Sequence, residues 1–600
     1  MAINVSFNGA TIYKPGAYSK TSIDLGGGFP LSPTGLIALF GEADAGAPGD
    51  AETNIAKNVF GPDQLPEIRS KYGSGNLVDA CNFLFAPGAD GAIPGGAQAV
   101  YIFKTNSSTR ASLVLASSYG TVQAQEWGVG GNRITIKITG AGTTRTITIS
   151  QKRDTLIESA TVGGNTVMTV TNATVGSTIT IDDTKVSLFN GTSTIDLPKA
   201  GFNSVGDLVA DINLHAGYSA ALGTGIDSRL PVSVLDHVTA LSIVAGGAVK
   251  KDAYEVQQVF AESQIVDLLT PASIGLPVAL TETFLTGGAL GATLTADIVD
   301  ALAKFEKVRV NSVVPLFSRD ATADLADNMT DTASTYTIDG IHQAVKTHLS
   351  LMSTTKKRSE RQGYLSVKDT YDNCKATSIG LAFARTQLCI QDIRNIDAQG
   401  AIKWFQPWAG SALLAGARGG SPVGNPMTFK YFNMSGIRQT DQAMSTPEEN
   451  IIVDFDPDTQ YDDGIQSGIT FWEAPQTGGF RLVVDNTTYG KDGNWVYNRG
   501  HVLYAADVLA YDFRTQLENI YIGLKNTVAA SEIKSTCESI LSTYLAQGIT
   551  VSTSDAKNGF KQLVVQINGS TVNVSVVVKL VEGIDFVLAD ITLQRAQATA

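Results

Sequence analysis

A chain of 600 residues exceeds what one hydrophobic core supports, so we expect about three or four domains. Its net charge of −13 argues against a track for nucleic-acid phosphates as the main binding surface. The sequence lacks an apolar run of the roughly 18 residues that span a membrane, and it opens without a basic-then-apolar signal pattern. Its 17% charged residues, a slightly low share, suit a chain that buries surface against copies of itself.

The first twenty residues are predicted to form a strand arm. Ile3, Val5 and Phe7 alternate with polar residues before Asn8 and Gly9, a hairpin-turn signal. A second short strand-like run follows the turn, so this extremity of the chain is expected to be extended.

A β–α–β rhythm in residues 21–127 and again in 268–440 predicts a discontinuous α/β domain. The apolar run at residues 36–40 indicates a strand buried on both faces, followed by a helix near 77–85 and a strand near 100–103. Residues 309–316 and 340–352 are predicted to form a further strand and helix.

The helix predicted after Pro277 has a complete set of local signals. Thr295 is its expected N-cap, and Asp300 and Lys304 are spaced as an i,i+4 ion pair. Its predicted buried stripe consists of Ile298, Leu302 and Phe305.

Residues 128–267 differ in character and are predicted to be a mostly β insertion domain. Thr, Ile and Val alternate in short runs separated by Gly, Asn and Asp, as in a succession of strands and turns. One helix is expected there, near residues 205–215.

Residues 441–580 are predicted to be a C-terminal module of two helices and a hairpin. The helices are expected near 505–521 and 531–547, and the hairpin turn at Asn568 and Gly569. Apolar residues at alternate positions mark the predicted inner face of the hairpin: Leu563, Val565, Ile567, Val572, Val574, Val576 and Val578.

A last strand is predicted within residues 581–600, a C-terminal strand arm. Its apolar face consists of Val587, Ala589, Ile591 and Leu593. The pattern alone favours a strand within the chain's own sheet, and the alternative is a strand donated to a neighbouring chain through main-chain hydrogen bonds.

The strongest candidate for enzyme chemistry is the glycine-rich stretch from Gly287 to Gly291, just before the helix at Thr295. Free backbone N–H groups there could hold a phosphate, but neither a P-loop nor a GxGxxG spacing is present, so a tight turn is favoured.

Other motif searches indicate no catalytic or metal site. Asp454, Asp456 and Asp458 alternate as in a calcium loop, yet the required glycine and glutamate are missing. The five histidines lack metal-ligand spacing and are predicted to have surface or capping roles, and no GxSxG element occurs. The scattered cysteines are expected to be reduced thiols: Cys81, Cys374, Cys389 and Cys537. The basic cluster Lys356, Lys357, Arg358 and Arg361 fits a solvated face or a contact with another subunit equally well.

Four short stretches, in this order, resemble the tail sheath proteins of contractile-tailed bacteriophages, whose relatives include pyocin and other contractile-injection sheaths. They are Tyr-Lys-Pro-Gly-Ala-Tyr at 13–18, Glu-Trp-Gly at 126–128 with Gly-Asn-Arg-Ile at 131–134, Phe-Leu-Thr-Gly-Gly at 284–288, and Trp-Val-Tyr-Asn-Arg-Gly at 495–500. The resemblance covers most of the chain outside 128–267.

The resemblance implies a structural subunit with no enzyme activity and no cofactor. Subunits would stack as six-fold rings around a tail tube, with α/β sheath domains outward and the C-terminal module inward. Residues 1–20 and 581–600 would be donated strands, the hairpin would accept them, and Glu532, Lys534 and Glu538 would contact the tube. Expected partners are the chain itself, the tail tube protein, and baseplate and tail terminator proteins, in a virion assembled in the host cytoplasm. A bacteriocin or secretion sheath remains the alternative.

Overall fold

The structure is a computed structural model. It describes residues 5–7, 10–12, 32–49, 54–88, 90–116, 119–152, 155–272, 275–439, 452–453, 457–523 and 528–585. Within these ranges the chain forms a mixed α/β arrangement of several sheets and packed helices, which agrees with the predicted multidomain α/β class.

A seven-stranded, mostly parallel sheet forms the centre of the α/β part. Its strands, in spatial order, are Ile469–Thr470, Thr386–Cys389, Gln362–Ser366, Ser312–Pro315, Leu36–Gly41, Ala99–Lys104 and the antiparallel Val59–Phe60. The strand Leu36–Gly41 shows why the apolar run is continuous, because Ile37 and Leu39 enter one core and Ala38 and Phe40 enter the other.

Helices cover both faces of this central sheet. Leu65–Tyr72, Asn76–Phe85 and Trp408–Gly420 lie on one face. Thr295–Phe305, Ala321–Ala326, Ile338–Met352 and Tyr371–Leu381 contribute to the core on the other face. Since Ile469–Thr470 pairs in parallel with Thr386–Cys389, the sheet continues beyond residue 440, where the α/β domain was predicted to end.

The β-rich part is larger than the predicted 128–267. Two four-stranded sheets share one core. The first comprises Leu156–Val162, Arg145–Gln151, Ile134–Thr139 and Leu280–Phe284. The second comprises Val266–Leu269, Gly120–Trp127, Ser108–Leu115 and Ala289–Leu290. The helix Asp252–Ala261 packs on this core. Strands 108–127 and 280–290 therefore belong with the β-rich residues, because their apolar faces enter that core.

A second β core lies within residues 166–250. A three-stranded sheet in it comprises Ser219–Leu222, Thr166–Thr171 and Gly247–Lys250. A four-stranded sheet comprises Thr194–Pro198, Lys185–Phe189, Thr178–Ile181 and Val238–Ser242. The predicted helix is present as Val205–Ile212 and is capped by Ser204, whose side chain accepts from Asp207 N.

Smaller sheets complete the fold. One comprises Ile402–Phe405, Asp392–Ile396, Gly436–Arg438 and Ile452–Val453, and another pairs Trp472–Glu473 with Arg481–Leu482. Short helices span Asp462–Gln466 and Trp495–Asn498. The C-terminal residues add the helices Gly500–Tyr521 and Ala530–Ala546 and a two-stranded hairpin, Phe560–Asn568 with Thr571–Val578.

The helix Thr295–Phe305 confirms most of its local prediction. The stripe Ile298, Leu302 and Phe305 is buried, and Lys304 Nζ lies 3.4 Å from an Asp300 carboxylate oxygen. The N-cap prediction is wrong by one residue: Leu294 occupies that position, and its N–H donates to Asp297 at 2.6 Å. The Asp297 carboxylate therefore satisfies the N–H of the N-cap residue, and Thr295 is the first residue of the helix.

The predicted surface role is wrong for three of the histidines. His342, His348 and His501 are each at most 4% exposed. His342 Nε2 lies 3.1 Å from the Ser366 carbonyl, and His348 Nε2 lies 3.0 Å from Arg361 Nη1. All four cysteines are buried free thiols, as predicted.

The buried histidines predict acid-sensitive stability. Burial lowers the pKa of His342 and of His348 to about 4, and for His348 the Arg361 charge adds to the effect. Below about pH 6.5 these histidines are protonated in the unfolded chain, while in the folded chain they stay neutral until about pH 4. The free energy of unfolding is therefore unaffected above pH 6.5 and falls between pH 6.5 and pH 4. Each residue accounts for up to about 3 kcal/mol.

Urea unfolding midpoints of the wild type and His342→Gln, compared at about pH 7.5 and about pH 4.5, test this expectation. The variant should lose less stability than the wild type on acidification. His215→Gln, at a half-exposed histidine, is the matched control for the substitution itself. Equal pH dependence in wild type and His342→Gln would contradict the assignment.

Candidate assembly site at the C-terminal hairpin

The C-terminal hairpin (Phe560–Asn568 and Thr571–Val578) packs on the helices Gly500–Tyr521 and Ala530–Ala546. All three elements share one apolar core. Their sequences explain the packing, because apolar residues recur at helical spacing and turn to the same side. The shared core includes Val508 and Leu509 of the first helix, and Ile533, Cys537, Ile540 and Tyr544 of the second. Tyr544 Oη donates to Asp512 at 2.7 Å, which links the two helices within that core.

The hairpin turn falls one residue later than predicted. Asn568 pairs with Thr571, so Gly569 and Ser570 form the two-residue loop, and Gly569 has a φ of +61°. Six of the seven predicted inner-face residues pack on the helical core: Leu563, Val565, Ile567, Val574, Val576 and Val578. Val572 is 41% exposed because it lies next to the turn, beyond full cover by the helices.

Both outer edges of this hairpin are unpaired within the described residues. Each strand forms its ladder only with the other, so each presents a row of backbone N–H and C=O groups on its outer side. A two-stranded hairpin is marginal in water without further strands or packing. This geometry is what strand addition requires.

An apolar groove separates the hairpin from the long helix Gly500–Tyr521. Its wider part, about 680 Å³, is lined by Phe513, Leu517, Tyr521, Val528, Ile533, Ile567 and Val574. A smaller part of about 250 Å³ continues between Leu509, Leu541 and Val578. The inner face of the hairpin is therefore incompletely covered by this chain's described residues.

The long helix is fixed to the central α/β layers by a buried charged cluster. Asp485 binds Arg418 Nη2 through both carboxylate oxygens at 2.5 Å, and His501 Nδ1 lies 3.1 Å from its Oδ2. Burial acts to raise the pKa of Asp485, but the Arg418 charge and the hydrogen bonds with His501 and Arg418 outweigh it and hold that pKa far below its usual range. Arg418 belongs to the helix Trp408–Gly420 on the central sheet, so the cluster joins the hairpin's support to the main core.

Sequence reasoning missed this cluster. Its three members are far apart in the chain and have no motif spacing. The one sign of their burial in the sequence is that the segments around them are apolar and carry little charge. Further contacts hold the same helix: Arg514 pairs with Glu360 at 2.7 Å, and Arg309 lies 3.5 Å above the Tyr511 ring.

The predicted donor strands are only partly within the described residues. Val5 and Phe7 lie in a strand, Val5–Phe7, which pairs with Ala10–Ile12 across the predicted turn. Ile3 lies outside the described residues, as do Val587, Ala589, Ile591 and Leu593. The donation of either arm stays a prediction.

The predicted tube-contact residues occupy the outer side of the helix Ala530–Ala546. Glu532, Lys534 and Glu538 are all exposed, while Ile533 and Cys537 face the core. This exposure permits a contact with another protein and does not test it.

The glycine-rich stretch does not form the phosphate cradle considered above. The N–H of Gly288 donates to Asn132 Oδ1 at 2.9 Å, that of Ala289 to Thr109 Oγ1 at 3.1 Å, and that of Gly291 to the Ser107 carbonyl at 2.9 Å. Three of the backbone donors that an anion could use are therefore occupied within the chain. The contact joins two of the stretches that carry the family resemblance, 131–134 and 284–288, and gives both a packing role.

Replacing Gly288 is expected to disrupt this junction. A Cβ there would collide with the Gly128 carbonyl oxygen and lie 3.1 Å from Asn132 Oδ1, so Gly288→Val should destabilise the fold by about 2 kcal/mol or more. Thermal unfolding measures the effect, with Gly201→Val as control because a Cβ at Gly201 meets nothing within 4 Å. Equal melting temperatures for the two variants would contradict the packing role.

The carboxyl end of the central sheet, where α/β proteins commonly bind ligands, is filled by internal pairs. Glu42 follows the strand Leu36–Gly41 and accepts hydrogen bonds from Thr293 and Thr330, both at 2.7 Å. Burial raises the pKa of Glu42. Lys104 Nζ donates to the Asn106 carbonyl at 2.8 Å. Glu42 and Lys104 are therefore engaged in hydrogen bonds within the chain.

The remaining motif candidates also have structural roles. Arg361 is buried and donates to the carbonyls of Phe305 and Val308, while Lys357 pairs with Glu306 at 2.8 Å and Arg358 pairs with Glu518. The basic cluster is therefore largely used within the chain. Asp454 and Asp456 lie outside the described residues. The described residues contain no group of three or more metal-ligating side chains able to hold an ion, and none of their helices is long and apolar enough to cross a bilayer.

Comparison with solved structures gives the class of the fold. A sheath tail protein from Listeria innocua matches with a TM-score of 0.53 and 13% identity, over 92% of this chain and 93% of that one. A sheath tail protein from Desulfitobacterium hafniense matches with a TM-score of 0.50 and 14% identity, over 94% and 100%. The chain has the fold of sheath tail proteins.

Sequence comparison extends this likeness to a phage protein. The tail sheath protein of Bacillus phage SP01 is 24% identical over 611 aligned positions, which cover 98% of this chain and 97% of that protein. No family model matches the chain. The resemblance predicted from four short stretches is thus confirmed over nearly the full length.

Proposed function

We propose that this chain is the structural subunit of a contractile bacteriophage tail sheath. Its near full-length likeness to a phage tail sheath protein supports this function, and the hairpin, whose two edges are unpaired among the described residues, is the observation that carries the mechanism. Subunits stack as six-fold rings around a tail tube, and contraction drives the tube through the host envelope for genome delivery. The phage relative favours this function over the bacteriocin or secretion alternative.

Strand donation links the subunits. The strand arms, residues 1–20 and 581–600, add to the hairpins of neighbouring copies, and alternate apolar side chains enter the groove beside the long helix. Ile3, Val5 and Phe7 and then Val587, Ala589, Ile591 and Leu593 supply those side chains. Main-chain ladders keep subunits connected while their rigid-body packing changes, which contraction requires.

The remaining partners follow from the same arrangement. The exposed residues Glu532, Lys534 and Glu538 face the tail tube protein, the α/β and β-rich parts lie outward, and baseplate and terminator proteins close the two ends. The particle assembles in the host cytoplasm and the sheath remains in the virion. Burial of new intersubunit surface supplies the free energy of contraction, so the mechanism needs neither nucleotide nor cofactor.

Negative-stain electron microscopy of the purified full-length protein, concentrated without ligand and also coexpressed with its tube protein, tests the proposal. We expect hollow striated tubes or stacked rings in at least one sample. Dispersed monomers in both would overturn it.

A further inference from the structure

The second strand of the hairpin and the residues that follow it run along the long helix toward its first residue. Val572 lines the groove with Tyr521 and Ile522, at the end of the helix Gly500–Tyr521. Leu580 lines the narrower part of the groove together with Leu509, near the helix middle. The described chain therefore crosses most of the roughly 33 Å length of this helix, away from the hairpin turn.

Residues 581–585 lie near the start of that helix and make three contacts, of which the last is with the residue that precedes the helix. Val581 N donates to the Ile549 carbonyl at 3.2 Å. Gly583 fits closely against Pro426, since a Cβ there would lie 3.3 Å from its ring. Arg499 donates from Nε and Nη2 to Asp585 Oδ2 at 2.9 and 2.7 Å, with both side chains about a quarter exposed.

We propose that the Arg499–Asp585 pair directs residues 586–600 to a neighbouring subunit instead of the chain's own hairpin. This inference rests on the proposed strand donation and names the positioning residues that select its partner. To pair with its own Thr571–Val578, the chain would have to reverse direction immediately after residue 585, where the ion pair holds it.

A contact that disfavours pairing within the chain is needed, because a strand joined to its own hairpin by a short connection meets that hairpin more often than it meets a neighbour's. A short connection gives the strand an effective local concentration of order millimolar toward its own hairpin, and this falls to near zero when the connection cannot span the required path. Because Asp585 is held beside Arg499, the arm starts away from the hairpin of its own chain, and the connection back to that hairpin becomes harder to span. The contact thus opposes pairing within the chain without adding any contact to the neighbour.

Isotope-mixed crosslinking measures the choice of partner. Protein labelled with ¹⁵N is mixed in equal amount with unlabelled protein before assembly, and a carbodiimide then joins the hairpin lysines, Lys561 and Lys579, to carboxylates of the arm such as Asp590 wherever the two are in contact. Donation between subunits gives mixed-isotope crosslinks in about half of the products, and pairing within a chain gives none. We expect Asp585→Asn to lower the mixed fraction and the assembly rate by about two- to fivefold, the scale of one partly exposed ion pair.

Two variants separate this role from general surface effects. Asp227→Asn breaks a more exposed ion pair with Arg229 in the β-rich part and should behave as wild type. Arg499→Asp combined with Asp585→Arg restores opposite charges and should recover mixed crosslinks.

Unchanged crosslinks and assembly in Asp585→Asn would overturn the positioning role while leaving the sheath function intact. If instead the wild-type chains give only same-isotope crosslinks, or a chain lacking residues 586–600 still forms tubes, strand donation itself fails.

Discussion

A chain lacking residues 586–600 is expected to remain folded and to form no tubes. The described core, including the helical support of the hairpin, involves residues before 586, so the monomer keeps its fold. Without the C-terminal arm the open hairpin edges of neighbouring copies receive no strand from it, and the ladder that joins subunits is lost. Electron microscopy and sedimentation measure assembly, and circular dichroism measures the fold; we expect tube formation to fall at least about a hundredfold.

A shorter deletion is the matched control. Removing only 594–600 keeps Val587, Ala589, Ile591 and Leu593, so assembly should persist. Long regular tubes formed by the chain lacking 586–600 would contradict the role of the arm.

Arg418→Met is expected to lower the free energy of unfolding by about 3–5 kcal/mol, because it leaves Asp485 as a buried charge without its cation. Asp485 is fully buried, and its remaining donors are His501, the Gln387 side-chain amide at 3.0 Å and the Met427 N–H at 3.2 Å, none of which supplies the permanent charge of a guanidinium. Urea unfolding followed by fluorescence of the buried Trp408 and Trp472 measures the loss.

The double variant Arg418→Met with Asp485→Leu tests the electrostatic cause. Removing both charges should cost less than the sum of the two single variants, since no unpaired ion remains buried. Arg229→Met, at an exposed ion pair, should change stability by less than about 0.5 kcal/mol. Additive effects in the double variant would contradict the ion-pair account.

Local periodicity was sufficient to predict most individual elements. The apolar run at 36–40 became the central strand Leu36–Gly41, and the predicted helix at 531–547 is Ala530–Ala546. The hairpin was predictable because alternation and an Asn-Gly signal coincide, although the ladder continues through Asn568 and moves the turn to Gly569 and Ser570.

Properties that depend on distant residues were not predictable in the same way. The boundary at 128 missed strands Ser108–Leu115 and Gly120–Trp127, because the core they enter is defined by residues up to Leu285. His501 was predicted to lie at the surface since nothing nearby in sequence indicates its partner Asp485. The role of the glycines at 287–291 became clear only when Asn132 was found to bind Gly288.

The most direct test of the account is a helical reconstruction of the assembled tube at a resolution that traces the main chain. We predict that the hairpin Phe560–Asn568 and Thr571–Val578 becomes the centre of a larger sheet, with added strands from the arms of other copies. A tube in which the hairpin remains two-stranded, or in which residues 586–593 pair with the hairpin of their own chain, would contradict it.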